Sequence, residues 1–302
     1  MGVHPGTSVT DSVTLGVDIG GSKTRACLLN EAGNIVAIDE VPTGGAPRAD
    51  PGLRASYEIA ARMTATASSI GHRIVGVGVG VPEFVEPDGV LHSSLVIAWE
   101  QQPRQLFEAL APTVVESDVR CGAIGESELG AGRGVRSMLY VSVGTGISCS
   151  LVIDGRPWNG HRGEAISLGE FPVDRQADKS AMSTLEAFAS GGAIARRYKR
   201  VNGAREVMQL AESGDQRARK IVISSATALG AALAWAVSLV DPQVVVLGGG
   251  VGARGGEWLE IVRDRYSSLG SPGIPRIDLA QLGADSGVIG AALVGRLGAE
   301  RV

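Results

Sequence analysis

Short runs of apolar and β-branched residues alternate along this chain with longer segments in which apolar positions recur at helical spacing. Such short runs predict strands, because a strand buried on both faces reads as a nearly continuous apolar stretch. Strands are predicted at 13–18, 25–30, 34–40, 74–81, 113–117, 138–143, 147–153 and 243–247. Helices are predicted at 53–70, 119–130, 183–200, 204–212, 215–238, 254–268 and 287–298. This mixed order is typical of an α/β protein.

The length of the chain, 302 residues, allows two lobes of about 120 to 180 residues, each with its own core. We predict a smaller N-terminal α/β lobe over 1–117 and a larger one over 118–286. No low-complexity segment separates them, so we expect a hinge at the boundary and not a flexible tether.

Two glycine-rich turns each follow one predicted strand and precede another. The first comprises Asp18, Ile19, Gly20, Gly21, Ser22, Lys23 and Thr24, and the second comprises Gly144, Thr145 and Gly146. Glycine allows positive φ and leaves backbone N–H groups bare to face an anion, while the hydroxyls of Ser22, Thr24 and Thr145 can add donors. We interpret the pair as a phosphate clamp, although each turn alone could be an ordinary tight hairpin.

Two aspartates stand at strand ends. Asp18 is placed to hold a hydrated Mg²⁺. Asp118 follows the strand at 113–117 and begins a helix. It could accept the proton of a hydroxyl that attacks a phosphate, or cap the helix, and the two roles are compatible.

The strand at 243–247 runs into a third glycine turn, formed by Gly248, Gly249 and Gly250, which suits the face of a nucleoside. The phosphate turns do not fit the Walker pattern, and Gly16-x-x-x-Gly20 is not a dinucleotide fingerprint. The order of the turns therefore carries more information than any one of them.

Composition and charge limit the kinds of molecule that the chain is expected to bind. A net charge of -4 supplies no basic field for nucleic acid, so a small-molecule partner is expected. The basic cluster at 196–200 is interpreted as a solvated helix face. The three cysteines are widely spaced in apolar segments and are interpreted as reduced core residues. Residues 1–12 lack the features of a signal peptide, and no stretch is expected to reach the length that a bilayer requires, so we expect a cytoplasmic protein.

Five motifs in this order resemble the ROK family of sugar kinases and sugar-responsive repressors, proteins with the actin-like, hexokinase-type ATPase fold. The matching segments are Asp18 to Ser22, Gly80-Val81-Pro82-Glu83, Glu116-Ser117-Asp118, Gly144 to Ile147 and Val288 to Leu293. The resemblance covers nearly the whole chain. It implies a two-lobed α/β fold of the ribonuclease H-like type, with the C-terminal helix at 287–302 joined to the smaller lobe and an active-site cleft between the lobes.

The resemblance also implies a function. It indicates a homodimeric kinase that uses ATP and Mg²⁺ to phosphorylate the primary hydroxyl of a sugar-like molecule, with Asp118 as the catalytic base. The acceptor contacts that it implies are Pro82, Glu83, Ser117, Asp118, Ser167, Glu170 and Glu186.

The chain departs from the family pattern at its metal site. Family kinases carry a Glu-x-Gly-His motif ahead of a cysteine-rich zinc loop, whereas this chain has Ser167-Leu168-Gly169-Glu170, and residues 174–184 contain no cysteine. We therefore expect no zinc, and His161 nearby is interpreted as a loop residue.

The acceptor contacts depart as well. Leu95, Ser117 and Ser167 stand where the family has hydrogen-bonding side chains, while Glu186 is retained. Glu83 and Glu170 are acids gained. If both face the acceptor, they favour a cationic amino hexose such as kanosamine, and if they are merely solvated or compensate for the missing zinc, they do not. The alternatives are a C7-cyclitol, which like kanosamine belongs to antibiotic biosynthesis, and glucose.

Two rival function classes remain. A sugar-sensing repressor of this family would need a DNA-binding domain, and about a dozen residues precede Val13, too few for a helix-turn-helix. A degenerate subunit that binds ligand without turnover would not need Asp118 or both phosphate turns. We therefore expect a kinase.

Overall fold

The computed structural model describes residues 11–44, 50–91, 93–173 and 184–299. The chain forms two units, the first comprising the described residues up to Cys121 and from Gly287 onward, and the second running from Gly122 to Ser286. Each is described by itself. The lobe bounds expected from the sequence, 1–117 with 287–302 and 118–286, stay a proposal. Most of the N-terminal tail and of the segment where we expected no zinc loop lie outside the described residues.

Most helices are found close to where the periodicity predicts them, whereas the short helices Pro103–Phe107 and Gly249–Gly252 were not predicted. The helices are α1 (Arg54–Ser69), α2 (Pro103–Phe107), α3 (Asp118–Leu129), α4 (Leu185–Ala189), α5 (Gly191–Tyr198), α6 (Ala204–Glu212), α7 (Gln216–Val240), α8 (Gly249–Gly252), α9 (Gly256–Leu269) and α10 (Ser286–Ala299). Two short 3₁₀ helices span Leu168–Glu170 and Gly283–Asp285. The helix expected at 183–200 is two helices, because Ser190 adopts an extended backbone and its hydroxyl caps α5 by accepting from the Ala193 N–H.

The sheet of the first unit has the strand order β3-β2-β1-β4-β5. Its strands are β1 (Ser12–Ile19), β2 (Lys23–Asn30), β3 (Ile35–Pro42), β4 (Arg73–Val81) and β5 (Thr113–Ser117). The first three form an antiparallel meander, which confirms the predicted hairpin, whereas β1, β4 and β5 run parallel. The carboxyl ends of these parallel strands therefore meet at one edge, where ligands bind in open α/β sheets.

Glycines let α10 lie directly on one face of this sheet. A Cβ atom on Gly16 or Gly78 would overlap the carbonyl oxygen of Val288 or Ala291, respectively. The neighbouring β1 side chains at odd positions, such as Leu15 and Val17, point to the other face and pack in the core with α1. This alternation fixes the register of β1 and so fixes which way Asp18 points.

The sheet of the second unit has the strand order β10-β9-β6-β7-β8. Its strands are β6 (Ser137–Val143), β7 (Ile147–Ile153), β8 (Arg156–Pro157), β9 (Val244–Gly248) and β10 (Arg276–Leu279). The β6–β7 hairpin and the β9 strand confirm predictions. The sequence analysis missed the two short strands β8 and β10.

The core of the second unit is built around α7. Its 25 residues are long and apolar enough to span a membrane by length and composition, so the expectation that no stretch would reach that length is wrong. Of its most apolar window, 72% is buried inside the protein. That burial fits the core helix of a globular unit.

Candidate active site

Asp18 and Asp118 lie on either side of Gly80 in the first unit. Asp18 is near the end of β1, Asp118 begins α3 directly after β5, and Gly80 pairs with both strands from the β4 strand between them. A Cβ atom on Gly80 would lie 3.4 Å from Asp18 Oδ1 and 3.8 Å from the Asp118 Cα atom. Glycine at position 80 therefore lets both aspartate-bearing segments lie close to this strand.

Burial raises the pKa values of both carboxyls. Burial raises the pKa of Asp18 to about 6, against the opposing charges of Arg25 and Lys23. Burial and the charge of Asp18 raise the pKa of Asp118 to about 7, while the Val119 N–H lowers it. A carboxyl with a pKa near neutrality is well matched to the role of general base.

Asp118 also interacts with the start of its own helix. Its Oδ1 accepts a hydrogen bond of 2.6 Å from the Val119 N–H. Negative charge at a helix N-terminus is favourable, so this contact stabilises the ionised side chain and is compatible with the predicted proton-accepting role.

The first glycine turn is tight and leaves its tip open. Gly20 N–H donates to the Lys23 carbonyl at 2.9 Å, and Thr43 holds the turn from outside by donating its hydroxyl to the Gly20 carbonyl. Gly21 and Ser22 form the accessible tip. They remain candidates for phosphate contact.

Two residues assigned to that turn belong instead to strand β2. Thr24 is completely buried, and its hydroxyl lies 3.0 Å from the Ser56 hydroxyl, so we withdraw it as a phosphate donor. Lys23 donates its Nζ to Glu40 on the neighbouring strand at 2.6 Å. The turn was predicted in the right place, but its predicted end includes the first two residues of β2.

The second glycine turn is held by the N-terminus of α5 and by Glu186. Gly191 and Gly192 N–H groups donate to the Gly144 and Thr145 carbonyls at 2.7 and 3.2 Å. A Cβ atom on Gly191 would come within 2.6 Å of the Gly144 carbonyl oxygen, so glycine is required there.

Glu186 is a neighbour of this turn. Its Oε2 accepts from the Ile147 N–H at 2.8 Å, and a Cβ atom on Gly146 would lie 2.5 Å from the same oxygen. The residue assigned to acceptor binding thus contacts the backbone at the phosphate turn, with Thr145 exposed beside it.

A cavity of about 500 Å³ lies at the third glycine turn. Its lining residues are Arg205, Gln209, Gly249, Gly250, Ala253, Arg254, Gly283 and Ala284. We call it the nucleoside cavity. Gly248 is buried, and a Cβ atom on it would overlap Tyr140, so this glycine permits packing and does not line the cavity. Gly249 and Gly250 line the cavity, and their contact with a nucleoside stays a prediction.

Glu126, which the sequence analysis missed, fixes one wall of the nucleoside cavity. Its side chain is completely buried in the second unit and accepts from the Gln281 and Leu282 N–H groups, each at 2.9 Å, and from the Ser286 hydroxyl at 2.8 Å. The cavity residues Gly283 and Ala284 lie between those donors in the chain. Without the carboxylate these part-buried backbone donors would lose their partner.

Glu83 does not offer its carboxylate to a ligand. It is 2% exposed and accepts four hydrogen bonds of 2.6 to 3.0 Å from Ser93, Leu95, Val96 and Ile97. The expectation that it would be solvated or would face a cationic acceptor is therefore wrong. The side chain anchors the loop that carries Leu95.

The other residues predicted to bind the acceptor differ in burial and in whether their side chains already have hydrogen-bond partners. Ser117 is completely buried, and within the described part of the chain its hydroxyl has no partner. Ser167 donates to the Glu164 carbonyl at 3.1 Å, and Pro82 is half-buried after β4. Glu170 is exposed at the end of a 3₁₀ helix, and its carboxylate has no hydrogen bond among the described residues.

Arg120 is a second residue that the motifs did not reveal. It is completely buried, pairs with Glu116 of β5, and donates to the Val85 carbonyl at 2.7 Å. Its charge lowers the pKa of Asp118. Arg120 thus holds the segment that positions the base.

Among the residues that the structure describes, no group of three or more His, Cys, Asp or Glu side chains could hold a metal ion. Asp18 as a water-mediated Mg²⁺ ligand therefore remains a proposal, because a hydrated Mg²⁺ needs only one protein carboxylate beside the phosphates of its nucleotide.

Comparison with known proteins gives a consistent assignment. The model of the ROK family matches residues 14–296. A glucokinase of Streptomyces coelicolor is 32% identical, over 94% of this chain and 98% of that protein. An N-acetylmannosamine kinase of Salmonella paratyphi A is 30% identical, over 93% of this chain and 97% of that protein.

A solved structure agrees with the sequence relatives. The ROK family glucokinase from Streptomyces griseus, in complex with glucose and AMPPNP, superposes with a TM-score of 0.79 and 28% identity. The alignment covers 94% of this chain and 99% of that one. The fold is therefore the actin-like ATPase fold of the ROK kinases, as the motifs implied. The chain belongs to the ROK family, and within it to the ATP-dependent carbohydrate kinases.

Proposed function

We propose that this kinase transfers the γ-phosphoryl group of ATP to the primary (6-) hydroxyl of a sugar-like acceptor, with Asp118 as the general base. The observation that carries the proposal is the pair of carboxyls beside Gly80, in which burial and Asp18 raise the pKa of Asp118 to about 7. A base of that strength takes a proton from a hydroxyl only as the new bond forms, which is what phosphoryl transfer requires.

The proposed chemistry divides among named residues. Asp118 accepts the hydroxyl proton while the hydroxyl oxygen bonds to the γ-phosphorus and the bond to the β-phosphate oxygen breaks, releasing ADP. Backbone N–H groups at the tips of the two glycine turns, other than those of Gly20 and Gly144, which hydrogen-bond within their own turns, bind phosphate oxygens together with the hydroxyls of Ser22 and Thr145. Mg²⁺, held through water by Asp18, supplies charge neutralisation at the phosphates when bound.

The base role predicts the pH dependence of kcat/KM. Only ionised Asp118 can accept a proton, so activity should rise with pH along a limb centred near the raised pKa of about 7, well above the range of an ordinary aspartate. The measurement is kcat/KM for the acceptor from acid to mildly alkaline pH with ATP saturating. A limb centred near the ordinary value of 3.8 would contradict the assignment.

For the acceptor, we propose an amino hexose such as kanosamine. Support comes from Glu170, whose exposed carboxylate has no partner among the described residues, and which follows Gly169, where a Cβ atom would lie 3.1 Å from the Glu186 Cβ atom. Leu95 and Ser167 offer shorter or apolar groups where the family hydrogen-bonds a neutral sugar. Glu83 gives no support, because its carboxylate is occupied within its own loop.

Glu170→Gln should reduce the preference for an amine about 10-fold or more, because it removes a charge-assisted hydrogen bond. The assay compares kcat/KM for kanosamine, glucosamine, glucose and a C7-cyclitol in wild type and variant. Glu257→Gln, an exposed acid elsewhere in the second unit, is the matched control. If glucose or the cyclitol is the best substrate of the wild type, the amino-sugar proposal fails and the corresponding glucokinase or cyclitol kinase takes its place.

The remaining proposals rest on family analogy or composition. They are a cytoplasmic homodimer, a role in antibiotic biosynthesis, the lack of zinc, and the lack of membrane or nucleic-acid partners. The rival class, a sugar-sensing protein without turnover, is separated from a kinase by the same assay, because a sensor would bind the acceptor without releasing ADP.

A further inference from the structure

The basic cluster at 196–200 is only in part the solvated helix face that the sequence predicted, because Arg197 is packed against its neighbours. The Arg197 guanidinium stacks 3.9 Å from the centre of the Phe188 ring and donates to the Phe188 carbonyl and the Ser224 hydroxyl. Helix α5 ends at Tyr198, and the next two residues leave it in an unusual conformation. The cluster is therefore divided into a packed part and an exposed part.

The exposed part lines a cavity of about 510 Å³ in the second unit. Its lining residues are Tyr198, Lys199, Arg200, Val201, Glu206, Leu210 and Arg217. The Arg217 guanidinium is held over the Tyr198 ring at 5.2 Å and donates to the Arg197 carbonyl at 3.2 Å, while the Tyr198 hydroxyl donates to Asp215. The Arg217 side chain is thus oriented before any ligand arrives.

The cavity carries unneutralised positive charge. Lys199, Arg200 and Arg217 have no carboxylate within ion-pair distance in the described part of the chain. Several exposed arginines elsewhere do have one, in pairs such as Arg62–Asp39, Arg136–Asp154 and Arg219–Glu257. Glu206 is the one acid that lines the cavity, and it accepts from the Asn202 N–H. Counted together with Asp215, which accepts from the Tyr198 hydroxyl, three cations face two anions, so the site keeps a net positive charge on a chain whose net charge is -4.

Two of the cationic residues, Lys199 and Arg200, also have a strained backbone conformation. Lys199 and Arg200 have φ values of 67° and 57°, a region that residues with a Cβ atom rarely occupy and that glycine occupies freely. The helix end could be made without strain by glycine at Lys199. Two long cations stand there instead, which points to a use for their side chains.

We propose that this cavity is a binding site for a small phosphate dianion, either inorganic phosphate or the phosphate group of a sugar monoester. Helix α6 separates it from the nucleoside cavity, since Arg205 and Gln209 line one and Glu206 and Leu210 line the other. The Arg217 fork and the neighbouring ammonium and guanidinium groups supply the donors that a phosphate dianion requires. Such a site does not depend on the proposed function.

The test is calorimetric titration of inorganic phosphate and of glucose 6-phosphate into protein saturated with AMPPNP, so that nucleotide phosphate contacts are already occupied. Arg217→Gln should weaken binding about 10-fold or more. Arg219→Gln, two residues further along α7 and paired with Glu257, should leave binding unchanged. Tighter binding of the sugar ester than of phosphate identifies the ester as the ligand, and equal binding identifies phosphate.

Absence of binding at about 10 mM of either probe, or equal affinity in Arg217→Gln, would overturn the proposal. A second experiment uses the strained backbone of Lys199. Lys199→Gly should raise Tm by about 2 to 4 °C and weaken phosphate binding, whereas Lys199→Gln should weaken binding without raising Tm. If Lys199→Gly binds phosphate as the wild type does, the side chain has no part in a site and the proposal fails.

Discussion

Replacing Asp118 by asparagine is expected to lower turnover about 100-fold or more while ATP binding stays close to that of the wild type. The amide keeps the shape of the side chain and an oxygen for the Val119 N–H, but it cannot accept the proton of the acceptor hydroxyl. Steady-state kinetics and nucleotide titration measure the two effects. Turnover within a few-fold of the wild type would remove Asp118 from the role of base.

The same substitution should stabilise the protein at alkaline pH. The pKa of Asp118 is raised from 3.8 to about 7 in the fold, so its folded form holds a proton more tightly than its unfolded form does. Its stabilising contribution is complete below pH 3.8 and is lost as the pH rises through about 7. The neutral amide of the Asp118→Asn variant avoids that loss, and the gain at pH 8 should be about 1 to 3 kcal/mol.

Asp39 provides a control in which the pKa shift has the opposite direction. Hydrogen bonding to Arg62 lowers the pKa of Asp39, an exposed residue, so Asp39→Asn should not stabilise the protein at pH 8. Thermal unfolding of both variants near pH 4 and pH 8 gives the comparison. If Asp118→Asn is less stable than the wild type at pH 8, the ionised carboxylate stabilises the fold through its contacts, and the proposed destabilisation by burial and by Asp18 is contradicted.

Glu126→Gln is expected to raise KM for ATP about 10-fold or more, with KM for the acceptor little changed. The carboxylate accepts from Gln281, Leu282 and Ser286, on both sides of the cavity residues Gly283 and Ala284. An amide offers one acceptor oxygen and presents N–H groups to those donors, so the wall should shift. Glu126 acts through the loop and is a positioning residue.

The matched control is Glu128→Gln, an exposed acid on the same helix. Glu126→Gln should also lower stability, since the donors of Gln281, Leu282 and Ser286 would lose an ionised acceptor. A variant that loses stability but binds ATP and acceptor as the wild type does would restrict Glu126 to a structural role. An equal rise in both KM values would show a general loosening of the fold.

The sequence predicted what local chemistry determines. The β1–β2 and β6–β7 hairpins, the glycine turns and the long helices follow from apolar periodicity and from glycine, which need only neighbouring residues to be recognised. The single helix expected at 183–200 failed at Ser190, because a serine cap inside an apolar segment resembles an ordinary helical residue.

Long-range polar contacts could not be predicted in this way. Glu83 was interpreted as a ligand for an acceptor because no motif shows that four groups at 93–97 donate to it. Glu126 was missed because its donors are about 155 residues away in the chain. Acidic side chains are usually exposed, so sequence alone does not indicate which ones a distant loop encloses.

Detection of the phosphorylated product tests the proposed phosphoryl transfer most directly. Purified protein is incubated with ATP, Mg²⁺ and kanosamine, glucosamine, glucose or a C7-cyclitol, and phosphorus NMR follows the nucleotide and any new ester, with Asp118→Asn in parallel. We expect ADP and a phosphate monoester on the primary hydroxyl in equal amounts, formed by the wild type and not by the variant. ATP that stays intact with every acceptor, or that yields only inorganic phosphate, would contradict the proposed transfer.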